Sequence, residues 1–147
     1  MIQIPKKICN KLKFLIGDSK SISNNPELVN DDIRLEFLSE LSKVLLNKEN
    51  INKYPDVATF AFWCRGSNLK KISTNSSSNY LRVGLGMVYH NCPSNVPVNF
   101  AFSLAFGILS GNTSVVRLSS KESESALLIV NTLSEMLDNP MYTEIKK

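Results

Sequence analysis

The chain has 147 residues, 43% of them hydrophobic and 20% charged, with a formal net charge of +4 at pH 7. That is one domain's length with enough apolar residues for a core, which excludes an intrinsically disordered chain. The positive charge is mild, and its early lysines (Lys6, Lys7, Lys11, Lys13, Lys20) lack interleaved aromatics, so it reads as surface charge and not as a nucleic-acid-binding face.

Residues 1–25 read as an extended or poorly ordered arm, because Gly17-Asp18-Ser19 and residues 21–25 form turns and no apolar period holds. A helix is expected after Asn30. Asp31 and Asp32 suit its N-terminus, and Leu35, Phe37, Leu38, Leu41, Val44 and Leu45 share one face opposite Glu36, Glu40 and Lys43. It should end within 47–50. Pro55 and Asp56 start a second helix with Val57, Phe60, Ala61 and Cys64 buried, and Trp63 with Phe60 and Phe62 in its core. Gly66 weakens that pattern, which Asn68-Leu69-Lys70-Lys71 can continue. Residues 75–79, a run of Ser and Asn, are a loop. Leu81-Arg82-Val83 alternates like a strand or its lead-in. Gly84-Leu85-Gly86 begins like a dinucleotide fingerprint, but Tyr89 stands where the third glycine belongs and the motif precedes its strand, so a turn is expected.

Met87-Val88-Tyr89 is the first strand, running into a Pro-Ser-Asn-Val-Pro turn at 93–97. Pro97 suits the first position of a helix, and residues 98–109 are apolar nearly all round, which predicts a buried helix. Gly111-Asn112 closes it. Ser114-Val115-Val116 is a second strand ending at Arg117 and a polar Ser119-Ser120-Lys121 loop. Ser119 and Ser120 offer caps for a last helix, with Glu122 and Glu124 in its first turn and Ala126, Leu127, Ile129, Val130, Leu133, Met136 and Leu137 as its apolar stripe. Pro140 stops it, and 141–147 trail off. Helices followed by strand–helix–strand–helix indicate an α/β fold with a parallel sheet.

Several pieces of this central stretch carry a family resemblance. Pro93-Ser94-Asn95-Val96-Pro97-Val98-Asn99-Phe100-Ala101, Ser103-Leu104-Ala105-Phe106-Gly107 and Ser110-Gly111-Asn112, in this order and spacing, resemble the aldehyde dehydrogenase superfamily and in particular its acyl-CoA reductase branch, the long-chain fatty acyl-CoA reductases (LuxC) of bacterial bioluminescence. General aldehyde dehydrogenases carry Pro-Trp-Asn-Phe-Pro at the first site. Phe60-Ala61-Phe62-Trp63-Cys64-Arg65 is also similar to that branch, so the resemblance covers roughly residues 55–137. It implies a partial Rossmann-like cofactor-binding domain: an arm at 1–25, a helical segment at 26–79 and an incomplete NADP-binding βαβα unit at 80–147. The family's second domain, with its catalytic cysteine, is expected to be absent, which makes the chain read as an N-terminal fragment or a truncated reading frame.

The resemblance also assigns residues. Asn95 matches the asparagine whose side-chain amide donates to the developing oxyanion, although an asparagine in a turn also serves backbone groups. Arg117, Ser119, Ser120 and Lys121 follow the second strand, where open α/β sheets bind ligands. The family commonly has lysine at the position of Arg117, reaching the adenosine ribose, and NAD-preferring members often have glutamate at that of Ser120. Without that carboxylate, and with Arg117 and Lys121 adding charge, the loop leans towards the 2′-phosphate of NADPH. A solvated loop with a helix cap is the plainer alternative. Pro93 and Ser94 would shape the nicotinamide side. His90 lacks an acidic partner at motif spacing and reads as a hydrogen-bonded structural residue.

Cys9, Cys64 and Cys92 are an odd number at wide spacings without a C-x-x-C pair, which argues against a disulfide framework or zinc site and suits a reducing cytosol. Each reads as a small buried hydrophobe and not as the nucleophile. Lysines interrupt any leader, and the longest apolar run, 100–109, falls short of the ~20 residues of a membrane span, so a cytoplasmic protein is expected. The leading function is the cofactor-binding part of an NADPH-dependent reductase that converts long-chain acyl-CoA to fatty aldehyde through an acyl-cysteine, with this chain alone inactive. The alternative is a non-catalytic nucleotide-binding or interaction remnant. A half-sheet leaves an exposed edge, so an oligomer or association through that edge is also expected.

Overall fold

A computed structural model describes residues 13–20, 22–75, 80–119, 121 and 123–146. Cys9, Ser120, Glu122 and the centre of the Ser/Asn loop lie outside the described residues. The elements run α1 (Asp32–Leu46), a 3-10 turn (Ile51–Lys53), α2 (Pro55–Trp63), α3 (Gly66–Asn75), β1 (Met87–Asn91), α4 (Asn99–Leu109), β2 (Thr113–Arg117), α5 (Glu124–Leu137) and a second 3-10 turn (Pro140–Tyr142). The fold is α/β. None of the helices among the described residues is long and apolar enough to cross a membrane.

Apolar spacing on α1 places Phe37, Leu38, Leu41 and Leu45 in the core, where the helix meets α2, α3, α4 and α5. The fully buried Ser42 hydroxyl donates to Ala61 O of α2 at 2.6 Å, so the polar group entering this core is satisfied. Arg34 is also buried, and its Nη1 donates to Asp31 Oδ2 at 2.9 Å; Asp31 at the N-cap makes this ion pair and no side-chain cap bond. Aromatic edges join the layers: Phe60 meets Phe102 with centroids 5.1 Å apart, and Trp63 meets Phe102 and Phe106 at 5.6 and 5.0 Å.

Four expectations need correction. The second predicted helix is two, broken at Cys64–Arg65, because the backbone tightens there: Phe62 O accepts Arg65 N at 3.3 Å and Asn68 Nδ2 at 3.0 Å. Phe62 itself is half exposed, with the Arg65 guanidinium 3.8 Å from its ring centroid, and is not core. The buried helix starts at Asn99 and not at Pro97, since Pro97 and Val98 form a turn closed by Asn99 N donating to Val96 O at 3.1 Å. The last segment does not trail off after Pro140: Tyr142 is buried, its ring edge-on to Phe37 at 4.9 Å.

β1 and β2 are parallel neighbours, in register from Met87↔Thr113 to Asn91↔Arg117, with α4 as the crossover. The end of α4 fixes the start of β2. Gly111 N donates to Ile108 O and Asn112 N to Gly107 O, both at 3.0 Å, the bond pattern of a Schellman cap. Gly111 has φ +68°, and a Cβ there would collide with the Glu27 carbonyl oxygen. The strap 27–30 closes over this point: Glu27 N donates to Gly111 O at 2.9 Å, Gly84 N to Glu27 O at 2.9 Å, and Leu28 bridges Val83 antiparallel. Gly111→Ala therefore adds left-handed strain of about 1–2 kcal/mol and a backbone collision of about 1–3 kcal/mol. The chain should lose about 2–5 kcal/mol of unfolding free energy in a urea titration; a loss no larger than the about 1–2 kcal/mol of left-handed strain would show that the strap does not seat on Gly111.

Candidate functional site

Parallel pairing puts the ends of β1 and β2 at one edge of the sheet, and the two loops leaving that edge carry the predicted site residues. Pro93, Ser94 and Asn95 are exposed on the bend between β1 and α4. No described residue engages the Asn95 side-chain amide, so it does not serve the backbone of its own turn. Arg117 is the exposed last residue of β2. Ser119 is half buried, and its Oγ accepts from Lys121 N at 3.1 Å, which shapes the loop while Lys121 projects into solvent. Ser120 lies outside the described residues. The structure brings the two loops to one edge, and the direct side-chain link between the strand ends is Arg117 Nη1 donating to Asn91 Oδ1 at 3.1 Å. Asn95 and Arg117 do not bond to one another.

The last helix is capped by Ser123, whose Oγ accepts from Ala126 N at 3.4 Å, in place of the expected Ser119 or Ser120. Two contacts then clamp its first turn to the start of α2: Tyr54 Oη donates to Glu124 Oε2 at 3.0 Å, and Ser125 Oγ to Asp56 Oδ1 at 3.0 Å. The Glu124 carboxylate beside Tyr54 raises the phenol's pKa. These residues anchor the helix that follows the Arg117–Lys121 loop. Periodicity treats such polar residues as solvated, and their pairing between two helix starts depends on tertiary packing.

Beneath the edge lies a polar bridge. His90 points inward from β1; its Nδ1 lies 2.7 Å from Ser103 Oγ of α4 and its Nε2 3.2 Å from Ser114 Oγ of β2. Gly107 makes room, since a Cβ there would collide with Ser114 Oγ and come within 3.0 Å of His90 Nε2. A single imidazole thus ties both strands and the crossover helix, the structural role expected of it. Both ring nitrogens face hydroxyls, and none of the described carboxylates orients the ring for proton abstraction.

The cysteines differ. Cys64 is fully buried at the end of α2, and burial pushes its thiol up to about 12, so no thiolate forms there near neutral pH. Cys92 is half buried, just past β1. A polar cavity of about 30 Å³ between Arg34, Glu27 and Thr113 lies at the opposite end of the strands and has no part at this edge.

A family model described as "Acyl-CoA reductase (LuxC)" matches residues 39–145, well over half of the chain. The chain belongs to the acyl-CoA reductase (LuxC) family. The match spans α2 and the whole βαβα unit, including every described site residue. No curated protein and no solved structure matches the chain.

Burial lowers the His90 pKa below its ordinary 6.5. The unfolded chain therefore takes up a proton at His90 near pH 6.5 while the folded chain still resists it. Stability from this residue is complete above pH 6.5 and is lost as pH falls below it. Melting temperature should drop between pH 7.5 and 5 by more in the natural chain than in His90→Gln. Equal slopes would show that His90 is not held neutral by its packing.

Proposed function

We propose that this chain forms the cofactor-binding part of an NADPH-dependent acyl-CoA reductase, acting on long-chain acyl-CoA to give fatty aldehyde. The observation that carries this reading is the common edge: a parallel βαβ unit of a LuxC-family chain delivers the Asn95 bend and the Arg117–Lys121 loop side by side. NADPH, when bound, supplies hydride. The residues here suit it in kind, because Arg117 and Lys121 are exposed cations beside a strand end and no described carboxylate pairs with Arg117.

Asn95 is the proposed catalytic residue. Its amide N–H would donate to the carbonyl oxygen as negative charge gathers there, and an amide unclaimed by its own turn can do so without first breaking a bond. Pro93 and Ser94 would shape the nicotinamide side, and Arg117, Ser119, Ser120 and Lys121 would hold the adenosine ribose and its 2′-phosphate. Neither Cys64, kept protonated by burial, nor Cys92 is proposed as the thiolate of the family reaction. Residues 1–147 by themselves are therefore proposed to be inactive. The uncovered side of the sheet, where Tyr89 is 58% exposed, supports association through that surface.

The cofactor test is a calorimetric comparison. The chain should bind NADPH more tightly than NADH, and Ser120→Glu should narrow or reverse that order by placing a carboxylate against the phosphate. Equal affinities for both nucleotides in both proteins would end the NADPH reading.

The chemical test uses an active reductase carrying this segment. Asn95→Ala should lower kcat by ~10²–10³ and leave NADPH affinity nearly unchanged, the pattern of a contact made only in the transition state. Unchanged kcat would remove Asn95 from the chemistry. NADPH-dependent aldehyde formation by residues 1–147 alone, abolished by Cys92→Ser, would instead make Cys92 the nucleophile.

A further inference from the structure

The last register pair of the sheet is Asn91↔Arg117, and it is also a side-chain pair: Arg117 Nη1 donates to Asn91 Oδ1 at 3.1 Å. Strand alternation sets its direction. His90 points to α4 through Ser103, so Asn91 and the exposed Tyr89 before it point to the opposite face, and Arg117 lies there with its register partner. Both members are exposed at the edge where the two loops leave.

The chemistry of this pair is asymmetric. A guanidinium has five N–H donors in a rigid plane, and a neutral amide oxygen occupies one of them. The remaining donors stay open, and the charge is undiminished because none of the described carboxylates forms an ion pair with Arg117. An exposed arginine without such a tether samples many rotamers and must lose that freedom when it grips an anion. Asn91 removes part of that cost beforehand, and it does so without supplying a negative charge that would compete with the ligand.

We propose that Asn91 is a positioning residue that orients the Arg117 guanidinium towards the 2′-phosphate of the dinucleotide, and so contributes to the choice of NADPH over NADH. This rests on the cofactor reading given above. The role belongs to the 2′-phosphate, because at that position NADH carries only a neutral hydroxyl.

The experiment is a double-mutant cycle read by NADPH and NADH binding to the 147-residue chain, with Asn91→Ala, Asn91→Asp, Arg117→Ala and Asn91→Ala/Arg117→Ala. Melting curves check folding, which substitutions at these two exposed positions should leave intact. Asn91→Ala should weaken NADPH by roughly 3–10-fold, the scale of ordering one rotamer-rich side chain on binding, and change NADH by less than about twofold. Asn91→Asp should weaken NADPH further, because its carboxylate pairs with the guanidinium in place of the phosphate. In the Arg117→Ala background, Asn91→Ala should have no further effect. Additive losses, or an Asn91→Asp effect equal for NADH and NADPH, would overturn the positioning role and leave the cofactor reading standing. If Arg117→Ala leaves NADPH affinity unchanged, or the natural chain does not bind NADPH, the cofactor reading fails and this proposal fails with it.

Discussion

Backbone closure around Gly111 governs where everything functional ends up. Three separated segments meet there through main-chain hydrogen bonds: Glu27 N to Gly111 O, Gly84 N to Glu27 O, and Asn30 N to Leu109 O at 2.7 Å. Asn112 adds its side chain, with Oδ1 accepting from Leu85 N at 2.6 Å. The turn that ends α4 is thereby held against the lead-in to β1, and Thr113 N donates to Gly86 O at 2.9 Å as β2 begins. Once the two strands start together they run parallel, and parallel strands of equal register finish together. The shared edge that carries Asn95 and Arg117 is thus a consequence of close packing at the opposite end of the sheet.

The distance between sheet and crossover helix is set by small groups on α4. Gly107 and Ser103 face the His90 ring, which enters a layer that is otherwise apolar. A polar ring in such a layer costs free energy unless both nitrogens are satisfied, and Ser103 and Ser114 satisfy them. Because those partners sit on α4 and β2, the bridge also resists sliding of one element past another. Phe102 and Phe106 extend α4's grip to Phe60 and Trp63 on α2.

Much of this was legible from residue pattern. The period of Phe37, Leu38, Leu41 and Leu45 identified α1, and the Gly111-Asn112 pair located the end of α4, because burial and a left-handed cap impose strict local demands. Tertiary contacts were not legible. Phe62 is as apolar as Phe60 in sequence, yet it faces outward beneath Arg65, since one helix buries only one side against α1. Tyr142 follows a helix-ending Pro140, and only the three-dimensional path reveals the space beside Phe37 that it fills. Ser119, Ser120 and Ser123 are equivalent as cap candidates by type; Ser123 is the one whose extended backbone precedes the first helical turn. At the candidate site, the motif names the loop residues but not Asn91, whose bond to Arg117 depends on the register between two strands remote in sequence.

That register gives a physical reason for arginine in place of a lysine at the end of β2. A lysine ammonium is a compact point charge that one strong acceptor can orient only loosely on a flexible stem. A guanidinium that donates to a neighbour through one nitrogen is restricted in orientation by that bond, while its remaining N–H groups stay open. Beside Asn91, Arg117 is a cation of defined orientation; without an acceptor on β1 it would be one more mobile surface charge. A carboxylate at position 91 would hold the plane as firmly but would neutralise it, so an amide is the side chain that gives orientation and leaves the charge available. The choice at 117 is therefore linked to the choice at 91, and each has to be read with the other across the strand pair.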